Sequence, residues 1–241
     1  MSDIAVVTGA SGGIGRAVAK AIYAKSEGGL RLCIHYNGNQ KAAEAVQADI
    51  PQSFIVKADL ATTLGRKALL DAVLTQGTPF VLVNNAGIDK PHEPALQITE
   101  SSFETLIGTN LRGPAFLMRD FGNEMARAGA GCIVNVSSVL ASKALIGSAL
   151  YRASKAALEA LTKQFAFELG PRGVRVNAVA PGFIATAMTQ AMSAERQQKI
   201  ISQTALGSLG TTEAVAQAVC ALIENDYING AVLPLDGGMI L

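Results

Sequence analysis

Tyr151 and Lys155 stand four residues apart, with Ser138 a short way upstream. At the start of a helix that spacing places both side chains on one face, within a few ångströms of each other. A free phenol has a pKa of about 10 and is a poor proton donor or base near neutrality. A nearby ammonium favours the phenolate and lowers that value. The pair is therefore a candidate tuned acid/base. Taken alone, a tyrosine and lysine at this spacing occur often by chance on solvated helix faces. Its meaning depends on what the rest of the chain builds around it.

The first such element lies near the N-terminus. Thr8-Gly9-Ala10-Ser11-Gly12-Gly13-Ile14-Gly15 follows an apolar run, Ile4 to Val7, and opens a helical pattern, Ile14 to Lys25. Gly9 lets the chain turn tightly, Gly13 lets the backbone approach a pyrophosphate, and Gly15 lets the helix pack on the strand. The helix start offers unpaired N–H groups and partial positive charge to phosphates. Directly after the first strand of a βαβ pattern, such a loop points to a bound dinucleotide. A nucleoside-triphosphate loop is excluded, because no Gly-Lys-Ser/Thr follows at the required spacing.

Short apolar runs then alternate with helical patterns along the whole chain. Strands are expected at Leu30 to His35, Ser53 to Lys57, Phe80 to Val83, Cys132 to Val136, Val174 to Val179 and Ala231 to Leu235. Helices are expected at Lys41 to Asp49, Gly65 to Leu74, Tyr151 to Leu169 and Glu213 to Glu224, with one long helix from Phe103 to Arg127. The strands are continuous runs of Ile, Val and Leu, as parallel strands read when helices cover both faces. The expected fold class is α/β: a doubly wound, Rossmann-type parallel sheet of about seven strands with helices on both faces. Residues 1–241 read as a single domain, and the segment 181–209, with a short polar helix, as a substrate lid within it.

Composition removes several functions. The formal net charge is +1 and only 16% of residues are charged, with no Trp; no basic stripe or stacking platform for nucleic acid is present. No apolar run approaches the ~18–20 residues that cross a bilayer, and no signal-like leader is evident, so a cytoplasmic protein is expected. Cys33, Cys132 and Cys220 are far apart, lie in apolar runs and read as buried, inert thiols. His35 and His92 lack ligand partners at metal-site spacing, so no metal site is expected; His35, at a strand end, reads as a cofactor-rim residue.

The loop spacing is TGxxxGxG, and here a resemblance begins. The chain resembles the short-chain dehydrogenase/reductase family. Asn84-Asn85-Ala86-Gly87 after the fourth strand, Asn110 on the first long helix, Ser138, Tyr151-xxx-Lys155, and Pro181-Gly182 after the sixth strand match that family's motifs in order. The resemblance implies a nicotinamide-dependent oxidoreductase. It makes Tyr151 the proton donor to a substrate carbonyl and Ser138 the hydrogen-bonding partner of that oxygen. It makes Lys155 both the depressor of the Tyr151 pKa and a ligand of the nicotinamide ribose. It makes Asn110 the holder of a water that links Lys155 to solvent. Ser137 is assigned to support of the loop.

The same resemblance implies cofactor contacts from Gly9, Ser11, Gly12, Gly13, Ile14 and Gly15. It adds Asp59 and Leu60 at the adenine, Asn85, Ala86, Gly87 and Ile88 further along, and Pro181, Gly182 and Ile184 at the carboxamide. Selectivity is read at the end of the second strand. No Asp or Glu occurs between Gly28 and Ala43, which removes repulsion of a 2′-phosphate and favours NADP over NAD. The positive selectors of many NADP enzymes are also missing: Gly12 and Asn37 stand at positions that are basic in them. Asn37, Asn39 and Lys41 remain as weaker phosphate ligands.

Within the family, the runs Asn177 to Thr186 and Asn229 to Met239 are similar to those of the β-ketoacyl-[acyl carrier protein] reductases. That similarity implies reduction of a 3-oxoacyl thioester, with Arg172 and Arg127 as carrier contacts outside the entrance. A dehydrogenase of a sugar, steroid or small alcohol on the same scaffold is an alternative. So is a non-catalytic dinucleotide-binding scaffold, against which stand the four reacting residues, all present. The widely apolar long helices and the Met239-Ile240-Leu241 end point to a homo-oligomer, which the resemblance makes a homotetramer.

Overall fold

The computed structural model describes residues 3–89, 93–190 and 192–240. Seven parallel strands form one sheet in the order β3-β2-β1-β4-β5-β6-β7. The strands are β1 (Asp3–Val7), β2 (Leu30–Tyr36), β3 (Ser53–Lys57), β4 (Thr78–Asn84), β5 (Gly131–Val136), β6 (Val174–Pro181) and β7 (Val232–Leu235). The helices are α1 (Gly13–Lys25), α2 (Gln40–Ala48), α3 (Thr63–Leu74), α4 (Glu100–Ile107), α5 (Gly113–Ala128), α6 (Ala149–Leu169), α7 (Ala187–Gln190), α8 (Ala194–Ile201) and α9 (Thr212–Glu224). The strand and helix boundaries lie close to those read from the sequence, because parallel strands buried on both faces leave an unmistakable run of branched apolar residues.

Alternate residues of each strand feed two separate cores. On one face Ala5, Val7, Leu32, Ile34, Val81 and Val83 pack under α1, α2 and α9. On the other Ile4, Val6, Cys33, Leu82, Ile133 and Val176 pack under α3, α5 and α6. The strand order reverses between β1 and β4. Crossovers from β1 leave toward β3, and those from β4 leave toward β7, so the loops after β1 and β4 diverge and open a crevice at their C-terminal ends.

The expected single helix from Phe103 to Arg127 is not one regular helix. Between α4 and α5 lies a π-helical segment, Gly108–Arg112. The amide of Gly113 bonds to the carbonyl of Gly108, five residues back. Pro114 explains the irregularity: it brings no N–H to continue the i→i−4 ladder, and its ring crowds the turn before it. Asn110 sits inside this widened turn and is fully buried.

Phe121 is among the largest fully buried side chains and lies at the centre of the α5–α6 core. Phe121→Ala should lower stability by about 3–5 kcal/mol, read as a shift of the denaturant midpoint. A loss below about 1 kcal/mol would mean that this core is loosely packed.

Candidate active site

Of four consecutive residues at the end of β5, three hold a residue of α6 and the fourth shares a cleft with it. Asn135 donates from Nδ2 to Thr162 Oγ1 at 2.9 Å. The Val136 carbonyl accepts from Lys155 Nζ at 2.7 Å. Ser137 Oγ donates to Glu159 Oε1 at 2.7 Å. Ser138 lines the cleft beside Tyr151, where its hydroxyl favours the phenolate. Positions 155, 159 and 162 share one helical face, and Tyr151 lies one turn earlier. The strand and helix therefore meet in one register, and that register brings Ser138, Tyr151 and Lys155 together. Asn135 is itself tied to β4, since Asn84 Nδ2 donates to Asn135 Oδ1 at 2.9 Å.

Ser138 also accepts from the Leu140 amide at 3.2 Å, which orients its hydroxyl. Lys155 Nζ lies 5.7 Å from the centre of the Tyr151 ring. The sequence reading made Lys155 the group that lowers the Tyr151 pKa. In the structure burial pushes Tyr151 up to about 12, opposed by hydrogen bonding from Ser138, while the carboxylate of Asp89 adds to the rise. Lys155 is itself buried, and burial pushes its pKa down to about 8.

Asn110 reaches the site from the π-helical turn. Its Oδ1 accepts from the Ile88 amide and its Nδ2 donates to the Ile88 carbonyl, both at 2.8 Å. The side chain thus fixes the loop after β4. A Cβ placed on Gly87 would lie 3.3 Å from Asn110 Oδ1 and 3.7 Å from Lys155 Nζ. Glycine at this position keeps the space in front of the ammonium open.

The glycine loop is held from both sides. Thr8 Oγ1 accepts from the amides of Asn85 and Ala86, both at 2.9 Å. Asn85 Nδ2 donates to the carbonyls of Thr8 at 2.8 Å and Gly9 at 3.2 Å. Asn85 is therefore a brace of the loop more than a ligand, and Thr8 is a partner that the glycine pattern alone did not single out. On the other side the Gly9 amide donates to Nδ1 of His35 at 3.0 Å. A Cβ on Gly15 would lie 2.4 Å from the Gly9 carbonyl, so helix and loop can pack this closely only with glycine there. Gly13 has φ +52, a left-handed conformation that favours glycine.

The cleft between these walls has a volume of about 540 Å³. Gly9, Ser11, Gly12, Gly13 and Ile14 line one end; Asn85, Ala86, Gly87 and Ile88 line the floor; Ser138, Tyr151 and Lys155 line the other end. Pro181, Gly182 and Ile184 close the side from β6. Not every predicted residue belongs to it. Asn37 and Asp59 are exposed at the ends of β2 and β3, outside the enclosed volume. Asp59 Oδ1 accepts from the Ala61 amide, and Asn39 Oδ1 caps α2 through the Ala42 amide. Leu60 is a core residue whose carbonyl accepts from buried Arg66 at 2.8 Å. His35 is no rim residue: it is 2% exposed, and its ring lies beneath the loop. His92 lies outside the described residues.

Arg127 and Arg172 lie at the opposite end of the sheet from this chain's own cleft. Arg127 precedes the start of β5 and Arg172 the start of β6, where the Gly131 amide bonds to the Gly173 carbonyl. Tyr151 and Leu169 are separated by about 27 Å of helix at 1.5 Å per residue. Both arginines therefore lie at the N-terminal edge of the sheet, away from this chain's own cleft. Sequence spacing told where they fall along the chain but not at which end of the sheet. Cys33, Cys132 and Cys220 are buried as expected. Among the described residues no cluster of potential metal ligands occurs, and no helix is long and apolar enough to cross a membrane.

Comparison with known proteins gives this geometry a context. The family model described as "Enoyl-(Acyl carrier protein) reductase" matches residues 9–240. The chain is 37% identical over 248 residues to the 3-oxoacyl-[acyl-carrier-protein] reductase FabG of Staphylococcus aureus, covering 100% of this chain and 99% of that protein. The chain belongs to the short-chain dehydrogenase/reductase family. It is 32% identical over 241 residues to the FabG protein of Pseudomonas aeruginosa, covering 99% of this chain and 97% of the other. A crystal structure of 3-oxoacyl-[acyl-carrier protein] reductase from Brucella melitensis superposes with a TM-score of 0.91 at 28% identity, covering 99% of this chain and 91% of that one.

This member of the family is an oxidoreductase with a nicotinamide dinucleotide cofactor, and its residues fit that group. The N-terminus of α1 has no side-chain cap and no acid in its first turn, so its amides are open to a pyrophosphate. The Lys155 ammonium has three donors, of which the Val136 carbonyl takes one. The others face the space that Gly87 leaves open, where ribose hydroxyls would be bound.

Lys155→Met provides a test of the buried charge. Its pKa in the fold, about 8, lies below the ordinary 10.5, so the charged form is penalised in the folded state. That penalty is fully present below pH 8 and disappears as pH rises toward 10.5. At pH 7 the variant should be more stable than the parent, by roughly 1–3 kcal/mol after loss of the Val136 bond. The gap should close between pH 8 and 10.5. A variant less stable than the parent across that whole range in thermal melts would contradict the assignment of strain to this lysine.

Proposed function

We propose that the protein reduces the keto group of a 3-oxoacyl thioester, presented on an acyl carrier protein, to the 3-hydroxyacyl thioester with NADPH, in fatty-acid or related biosynthesis. The observation that carries this reading is the pair of hydroxyls, Ser138 and Tyr151, lining one cleft together with Lys155. Two hydroxyl groups at one point suit a single carbonyl oxygen. The names of the relatives supply the substrate class.

When bound, the cofactor supplies a hydride. Tyr151 donates its proton to the developing alkoxide, and Ser138 holds that oxygen by a hydrogen bond. A phenol whose pKa is raised to about 12 is kept protonated near neutrality, which suits the reductive direction. Lys155 binds the ribose hydroxyls and, with Asn110 fixing the Ile88 loop, sets the position of the reacting face.

Beyond the hydroxyl pair the wall is apolar. Val139, Leu140, Phe183 and Met192 line the cleft there, and with Ile200 and Met239 they form a small separate core. An acyl chain suits this wall better than a sugar does. The segment 181–209 acts as a substrate lid in a single domain spanning 1–241. Its roots are tied by the Ala185–Gly210 and Leu206–Gly237 backbone bonds, and α7 and α8 lie between them. Exposed Phe103, Phe116 and Phe167 on α4, α5 and α6 support assembly as a homotetramer, and a cytoplasmic setting accords with this chemistry.

NADPH over NADH is supported by the absence of an acid at the end of β2. Gly12 has an extended backbone, φ −169, which any residue adopts, and a Cβ there would meet nothing within 4 Å. Gly12→Arg should therefore fold normally and tighten NADPH binding at least several-fold without affecting NADH.

The deciding experiment is cofactor oxidation with an acetoacetyl thioester on carrier protein, on coenzyme A and on a short mimic, beside a crotonyl thioester and a panel of sugars, steroids and small alcohols. The acetoacetyl carrier substrate with NADPH should be fastest, and Tyr151→Phe should lower its turnover by orders of magnitude while cofactor binding persists. Faster reduction of the crotonyl thioester would move the reaction to the enoyl group, and equal rates with all three acetoacetyl carriers would remove the carrier protein as partner. NADPH binding without turnover of any substrate would make the chain a dinucleotide-binding scaffold.

A further inference from the structure

His35 has no place in the proton chemistry, yet it is buried and makes three directed hydrogen bonds. Its backbone carbonyl accepts from the Ala10 amide at 3.0 Å. Its Nδ1 lies 3.0 Å from the Gly9 amide, and its Nε2 lies 2.9 Å from the Ala58 carbonyl. A backbone amide can only donate and a carbonyl can only accept. Nδ1 must therefore be bare and Nε2 must carry the proton, so the two partners select one neutral tautomer. Burial favours that neutral ring by lowering its pKa.

The contacts join parts of the chain that serve different ends of a dinucleotide. Gly9 opens the phosphate loop after β1, and Ala58 leads from β3 into Asp59. His35 lies between them on β2 and spans all three strand ends. Gly9 has φ +64 and its carbonyl is already taken by Asn85. With its amide taken by His35, both polar atoms of this residue are fixed, and the next amide, of Ala10, is held by the His35 carbonyl. Loss of the His35 contact would free Gly9 to rotate and leave a buried amide without a partner.

We propose that His35 is a positioning residue for the cofactor: its bare Nδ1 holds the phosphate loop through Gly9, and its Nε2–H ties that loop to the β3 end through Ala58. This rests on the nicotinamide-dinucleotide reading of the cleft. The ring touches neither substrate nor reacting atoms, so its effect falls on cofactor affinity and leaves turnover at saturation unchanged.

Two substitutions separate the contacts. In His35→Asn the side-chain oxygen replaces Nδ1 and can still accept from Gly9, whereas the reach to Ala58 is lost. In His35→Gln the terminal amide reaches Ala58, whereas the acceptor for Gly9 is lost. NADPH affinity is measured by fluorescence titration, with KM and kcat in the carbonyl assay and thermal melting alongside. His35→Asn should keep NADPH affinity within about threefold of the parent. His35→Gln should weaken it about tenfold, the size of one hydrogen bond, and raise the KM for NADPH with kcat nearly unchanged. Equal affinity in the two variants, whether both retained or both lost, overturns the proposal, as does a loss that falls on kcat alone. Nitrogen-15 NMR of the parent should show Nε2 protonated and Nδ1 bare, a result that needs no variant to fold; the opposite tautomer also overturns it. A parent that binds no NADPH and no NADH would instead remove the dinucleotide reading on which it rests.

Discussion

The register between the end of β5 and α6 is the constraint on which the site depends. Asn135, Val136, Ser137 and Ser138 occupy consecutive positions; the first three bond to α6, and Ser138 lines the cleft with Tyr151. In a strand, neighbouring side chains point to opposite faces, so a strand alone could not aim four successive residues at one helix. Here Asn135 uses its side chain, Val136 its carbonyl, and Ser137 and Ser138 their hydroxyls where the strand has ended and the backbone turns. Shifting α6 by one residue would rotate Lys155 and Thr162 about 100° away from their partners. The reacting group and the structural pins thus share a single alignment, which the fold cannot relax in one part without losing the other.

That alignment places an ammonium where water would be preferred. Lys155 is 5% exposed, and burial disfavours its charge. The packed β5–α6 interface supplies the stabilisation that holds it there. A lysine held in place by a carbonyl of the strand, with its remaining donors turned toward Gly87 and the cleft, is organised for a ligand before one arrives. Organisation of this kind costs stability in the free protein and returns as binding when polar hydroxyls complete the shell. Tyr151 follows the same logic in the opposite sense: burial keeps its proton on, and Ser138 tempers that by hydrogen bonding.

The fold was readable because its signal is repeated and local. Every strand is a run such as Ile4-Ala5-Val6-Val7 or Val81-Leu82-Val83, and every crossover carries its own helical period, so an error in one unit could not change the class. The gathering of the cleft residues was readable from order: a glycine loop, Asn110, Ser138, and the Tyr151–Lys155 spacing. What escaped were features set by contacts across the sequence. The π-helical turn at Asn110 depends on Pro114, which a period count treats as one residue among many. Leu60 looked like a cofactor contact because of its neighbour Asp59, but its side chain faces the core under α3. His35 looked like a rim residue because strand ends usually are rims. Only the lateral order β3-β2-β1, which places Gly9 and Ala58 on either side of it, shows that it is enclosed.

Arg127 and Arg172 carry the same lesson to the outer surface. A parallel sheet has two unlike ends: loops leaving strand C-termini build the cleft, and loops entering strand N-termini do not. Both arginines enter strands, so no rotamer of theirs can bring them to this chain's own entrance. The cleft is shaped instead by loops that leave β1, β4, β5 and β6, together with the stretch that leads through α7 and α8. Of these, the first three are fixed by hydrogen bonds to the sheet and to one another, through Thr8, Asn85, Asn110 and Ser137. The last is tied at its roots and rests on a small core of Val139, Leu140, Ile200 and Met239. The loops around Tyr151 and Lys155 are thus bound into the sheet, while the segment across the cleft from them is held mainly by apolar contact. Changes in that smaller core can alter which substrate fits without disturbing the register that holds Tyr151 and Lys155.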